Sequence, residues 1–253
     1  MFVQRVAWAL VIVGLAAPLA VAGPNAGGVL VVHTTNLAYT ADTATYIGQS
    51  TIACGQDGPE FSQVCPPYDP LGGADPCVVT AANPTSAQPA DASQIWFVLA
   101  AFPEHSCPRL KAVGFGFQYN ERWASSPEGK VVVFAWGSAD PIDGNLVFEI
   151  LSNSSIDDRA FPATGSSVAL SFTQTRTSHL QELFWFAGYA YSDGTGDATF
   201  NLGGHAIPAN RVFIDDTSPP MEDPISAYGT LGFNGTTCSN PAPIQSYACC
   251  IDM

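Results

Sequence analysis

The chain has 253 residues and carries 22 acidic against 8 basic side chains, a formal net charge of −14. That field repels phosphate backbones and anionic headgroups, which argues against nucleic-acid binding and against docking on acidic membranes. Solubility in an extracellular medium is the plainer reading of the acidity, and cation binding is the sharper one.

Residues 1–22 predict an export signal. Arg5 opens the segment, an apolar run extends from Val6 to Leu15, Pro18 breaks it, and Ala20-Val21-Ala22 has the small-residue spacing that signal peptidase reads. The run is shorter than the roughly 20 apolar residues a membrane span needs, and no cysteine follows it for lipid attachment. Cleavage before Gly23 would leave a protein secreted outside the cell or into the periplasm, with no membrane anchor. Residues 23–253 are enough for a single domain with its own core.

Taken in chain order, the apolar runs are short, rich in β-branched and aromatic residues, and separated by turn formers. They predict strands at Gly28 to Thr34, Tyr46 to Ala53, Gln94 to Phe102, Lys111 to Tyr119, Lys130 to Ser138, Leu146 to Leu151 and Ser167 to Thr173. Two more are expected at Leu183 to Tyr191 and Ala198 to Leu202, joined through Ser192-Asp193-Gly194-Thr195-Gly196-Asp197 as a hairpin. Between the strands ending at Ala53 and starting at Gln94, residues 54–93 form a Pro/Gly/Asp-rich insertion too long for an ordinary connection. In Lys111 to Tyr119, the bulky Val113, Phe115, Phe117 and Tyr119 alternate with Ala112, Gly114, Gly116 and Gln118. One face of that strand is therefore heavy, and the other is bare enough for a second backbone or ring to approach. Runs apolar at every position, such as Trp96 to Phe102 and Val131 to Trp136, imply strands covered on both sides. The fold expected is all-β: a two-layer antiparallel β-sandwich, jelly-roll or immunoglobulin-like, with long disulfide-tied loops and little helix.

Seven cysteines, Cys54, Cys65, Cys77, Cys107, Cys238, Cys249 and Cys250, sit in loop-like sequence. In an oxidising compartment they read as disulfide candidates, and the odd count leaves at least one thiol free or paired with another chain. Homo-oligomerisation through that thiol or through an exposed strand edge stays open.

The candidate chemistries are sparse. His179 and Glu182 would share a face on a helix, where they could ligate a metal, but would point to opposite faces on a strand. The aromatic run after them favours the strand. Asp193 and Asp197 flank two glycines, which suits either a structural calcium ion or a solvated turn. The same choice applies to the acidic loops at 69–75, 140–145 and 214–224. No G-x-S-x-G elbow, P-loop, dinucleotide fingerprint or zinc-protease motif occurs. Glu121 beside Trp123, with Tyr119 just before, is an acid and aromatic neighbourhood of the kind that binds sugars. Glu121, Glu149 and Glu182 are the carboxylates a glycan hydrolase would use.

Asn25 to His33, Ala100 to Leu110, Thr177 to Tyr189 and Asp215 to Phe233 together resemble segments of a group of uncharacterised secreted bacterial proteins. That resemblance implies export from a bacterium and carries no catalytic residue or cofactor. The sequence thus predicts a secreted non-catalytic β-sandwich in extracellular binding, adhesion, or envelope or matrix structure, with an unknown extracellular ligand. The alternatives are a calcium-stabilised carbohydrate-binding module on Trp123, Tyr119 and Glu121, and a secreted glycan hydrolase.

Overall fold

The computed structural model describes residues 23–35, 37–40, 46, 82–103, 106–122, 127–139, 147–151, 161–204 and 211–242. Every named element among them is a strand: β1 (Val29–Thr34), β2 (Gln94–Ala101), β3 (Leu110–Tyr119), β4 (Val131–Ser138), β5 (Val147–Leu151) and β6 (Ser167–Arg176). There follow β7 (Leu180–Ala190), β8 (Thr199–Gly203), β9 (Val212–Ile214), β10 (Glu222–Pro224) and β11 (Thr230–Gly232). Four strands make one sheet in the order β1-β2-β7-β4. Seven make the other, in the order β10-β9-β3-β6-β5, with β8 bonded to both β3 and β11. All these strand pairs are antiparallel, and the two sheets form the expected sandwich.

Alternation along the strands decides what fills the space between the sheets. From the four-stranded sheet, Leu30, Val32, Trp96, Val98, Phe184 and Phe186 point inward; from the other come Val113, Phe115, Phe117, Tyr119, Leu170 and Phe200. The heavy face of β3 therefore lies in the main core. Its bare face also finds a use: a Cβ on Gly116 would lie 2.6 Å from the carbonyl oxygen of Gly204. The missing side chain lets that backbone pass.

A second apolar cluster covers the outer face of the four-stranded sheet. Val29, Val31, Ile95, Phe97, Leu99, Trp185 and Ala187 are buried there beneath Tyr46 and Ala82, with Tyr39 packed against them. Strands β1, β2 and β7 are apolar at successive positions because the chain between β1 and β2 brings Tyr39, Tyr46 and Ala82 over them. Its described final stretch is fastened to β11, with Ser86 N donating to Gly232 O at 2.9 Å and Gly232 N to Pro84 O at 2.9 Å.

The outward margin of β1 is closed by groups from three other segments. Leu30 N donates to Ala227 O, Gly229 N donates to Leu30 O, and Thr34 N donates to Asn83 O. Between them the Asn240 amide stands in for a peptide group, accepting from Val32 N at 2.9 Å and donating to Val32 O at 2.8 Å.

Two expectations need correction. Strands β7 and β8 do not form a hairpin, because β7 lies in the four-stranded sheet and β8 in the seven-stranded one; Ser192 to Asp197 arches between layers. The acidic stretch 214–224 is more than a loop, since β9 and β10 pair across it. Asp215 organises the turn between them, its Oδ1 accepting from Thr217 N, Thr217 Oγ1 and Met221 N. The strand expected at Tyr46 to Ala53 lies outside the described residues apart from Tyr46, as do the loops at 69–75 and 140–145. Cys54, Cys65, Cys77, Cys249 and Cys250 also lie outside them. Cys107 is disulfide-bonded, and Cys238 is free.

Candidate binding surface

Alternation at the end of β7 places Ala190 in the core and turns Tyr189 and Tyr191 to the outer face, beyond the reach of the second cluster. Beside them β4 breaks register with β7 between Val133 and Ala135. That irregularity presents Phe134 to solvent, with 42% of its surface exposed. The rings form a continuous row. Buried Trp185 meets Tyr46 at 4.9 Å, Tyr46 meets Tyr39 at 6.2 Å, Tyr39 meets Phe134 edge-on at 5.0 Å, and Phe134 meets Tyr189 at 6.0 Å. Tyr189 and Tyr191 follow at 5.2 Å, with their hydroxyls 3.3 Å apart.

Arg122 closes the row. Its guanidinium lies 3.9 Å from the centroid of the Tyr191 ring and forms a two-pronged ion pair with Asp193. The hydrogen bond to Asp193 raises the Arg122 pKa, and the same bond holds the Asp193 carboxyl below its ordinary range. The Tyr191 hydroxyl, by hydrogen bonding, raises the Tyr189 phenol above its ordinary value. The arch bearing Asp193 is tied to the chain around Arg122 and Gly129: Thr195 N donates to Glu128 O at 2.7 Å, and Asn120 Nδ2 donates to Thr195 O.

Among the described residues, the side chains singled out in the sequence are occupied in separate structural contacts. Tyr119, expected as an exposed ligand contact, is 6% exposed; its ring packs on Phe200 at 5.8 Å and its hydroxyl donates to Pro162 O at 2.7 Å. Glu121 Oε2 accepts the amide of Thr164 at 3.0 Å. Trp123 lies outside the described residues. Glu149 belongs to β5, where it pairs with Ala169. His179 is not on a helix; its Nε2 lies 2.8 Å from Ser106 O, and Glu182 pairs with Leu99 in β7. Asp193 serves Arg122, whereas Asp197 lies near the free thiol of Cys238. Burial first, and then the Asp197 charge, push that thiol's pKa up, which favours the unreactive protonated form. Among the described residues no three His, Cys, Asp or Glu side chains are grouped to hold a metal ion. Sequence reasoning missed the aromatic row. Tyr189 and Tyr191 carried a period-two signal, but the contribution of Phe134 depends on a register break that only the fold reveals.

No protein-family model matches the chain, and no curated protein matches it. Among solved structures the chain is similar to the sixth cohesin of scaffoldin B from Acetivibrio cellulolyticus, determined in complex with a mutant Cel5 dockerin. The two share 11% identity over 60% of this chain and 94% of the cohesin, at a TM-score of 0.39, an overlap too loose to carry a functional argument.

Proposed function

We propose that the chain is a secreted, non-catalytic β-sandwich that acts outside the cytoplasm by binding. The observation that carries this reading is that four of its described chemistry-bearing side chains are given over to structure. Glu121 holds a backbone amide, His179 meets a carbonyl, Asp193 pairs with Arg122, and Asp216 pairs with Arg109 through two hydrogen bonds. The aromatic row at the β4 margin, by contrast, leaves Phe134 exposed beside the half-buried Tyr39, Tyr189 and Tyr191.

The test against a glycan hydrolase is a screen of polysaccharides with the wild-type protein and with Glu121→Gln, Glu149→Gln and Glu182→Gln. No turnover is expected from any of the four. A substrate cleaved by the wild type at a rate that one substitution abolishes would overturn the non-catalytic reading.

A second reading is favoured by the exposed Phe134 ring beside the half-buried Tyr189 and Tyr191, because sugars stack on aromatic faces while phenols and guanidinium groups bond their hydroxyls. On this reading the surface takes carbohydrate. Retention on a polysaccharide column should fall at least about tenfold, roughly 1.4 kcal/mol, in Phe134→Ala/Tyr189→Ala, with the melting temperature unchanged by more than a few degrees. Equal retention of the wild type and the variant would sink it. A calcium-dependent rise in melting temperature would support the calcium-stabilised version; Asp193 is engaged by Arg122.

A further inference from the structure

The first described residues are packed inside the molecule, as an ordinary tail would not be. Gly23 is buried, and Asn25 is fully buried with its side-chain amide bonded twice to the backbone of Arg109, at 2.9 and 3.3 Å. Gly23 N donates to Asp223 Oδ1 at 2.8 Å and Asn25 N to Asp223 Oδ2 at 3.0 Å. Asp223 itself is 4% exposed. A Cβ at position 23 would fall 2.3 Å from Asp223 Oδ2, so the carboxylate can sit there only against glycine.

The charge around this contact is unbalanced. Asp215 is 1% exposed, and its Oδ2 has no hydrogen-bond partner among the described residues. Burial first raises the Asp223 pKa, the two amide bonds oppose that, and the charge of Asp215 raises it further. A neutral amide at Gly23 leaves two buried carboxylates near enough for one charge to act on the other. A positive charge on that nitrogen would compensate them.

Building on the export reading, we propose that cleavage between Ala22 and Gly23 turns the Gly23 nitrogen into an α-ammonium that docks on Asp223, so that removal of the leader completes the fold. A leader peptidase would hydrolyse the bond with one water: the C–N bond breaks, the Ala22 carbonyl carbon becomes a carboxylate, and Gly23 leaves as –NH3+. The new charge lies where the amide donor already points, 2.8 Å from Oδ1. Among the described residues, the charged and titratable groups around it are Asp223 and Asp215 from the β9–β10 hairpin, and Arg109 before β3, whose guanidinium is engaged by Asp216.

The sign of the pH dependence follows. Pairing raises the α-amino pKa above its unfolded value of about 8, so the stabilisation is complete below that pH and is lost as pH rises through the higher folded value. Leader-intact protein has no such loss.

The experiment uses the full chain expressed with its leader and recovered after export. Intact mass should place the first residue at Gly23, and the α-amine should resist acetylation until the protein is unfolded in urea. Inserting one serine after Ala22, so that processing leaves Ser-Gly, should lower the melting temperature by about 5–10 °C. Asp223→Asn should do the same, and the two changes together should cost no more than the larger alone. A protein retained with its leader would overturn export and pairing together. A mature Gly23 terminus that acetylates freely while folded, or additive effects of the two changes, would leave export standing and remove the pairing alone.

Discussion

Replacing Trp96 by alanine is expected to lower the unfolding free energy by about 3–5 kcal/mol. The indole is fully buried and joins the two sheets. On its own side it stacks against Phe186 at 5.9 Å; across the interface it meets Phe200 of β8 edge-on at 5.2 Å and Phe233, just after β11, at 5.3 Å. Alanine would strip contacts from both layers at once, and the strand backbones hold the walls apart, so the cavity can collapse only partly. Against a total stability of roughly 5–15 kcal/mol this is a large share. Trp96→Phe should cost less, about 1–2 kcal/mol, because the indole Nε1 has no hydrogen-bond partner among the described residues and phenylalanine removes that buried donor. Urea denaturation of the three proteins checks the order. A loss below about 1 kcal/mol for Trp96→Ala would mean that the sheets are held together elsewhere.

Gly188→Ala is expected to cost about 3 kcal/mol, the upper end for a single inserted methyl group. Gly188 lies near the end of β7, opposite Gln94 on one side and Val133 on the other. A Cβ there would lie 2.2 Å from Val132 O and 2.9 Å from Trp96 Cη2. The first clash is with backbone, so no rotamer change relieves it; either the β4–β7 ladder or the Trp96 ring must move. Combining Gly188→Ala with Trp96→Phe should therefore cost less than the sum of the two, because phenylalanine vacates the ring position but leaves the carbonyl. Full additivity in denaturant titrations would show that the ring and the glycine do not share space.

These two residues also mark how far sequence reading reaches. The period-two run of β3 and the unbroken apolar runs of β2 and β7 named the strands and their double burial, because alternation and burial are local consequences of side-chain chemistry. Neither the partner of Gly188 nor the sheet to which β8 belongs is local. The Ser192 to Asp197 stretch has hairpin chemistry, and the bonds from Asn120 and Glu128 to Thr195 bend it across layers instead. Strands β9 to β11 are three residues each, too short for periodicity to register, and β10 reads as Glu-Asp-Pro. They are strands because β3, β8 and each other offer ladders to complete. At the candidate surface, Arg122 and Asp193 are 71 positions apart in the chain, a pairing no spacing rule could suggest.

Consider last the margin of β1, where Leu30, Val32 and Thr34 have their outward amides bonded by Ala227, Asn240 and Asn83. A strand whose rail is already occupied offers no template to a neighbouring molecule, so end-on recruitment into cross-β fibrils is foreclosed on that flank. Such self-occlusion guards against polymerisation without drawing on surface charge.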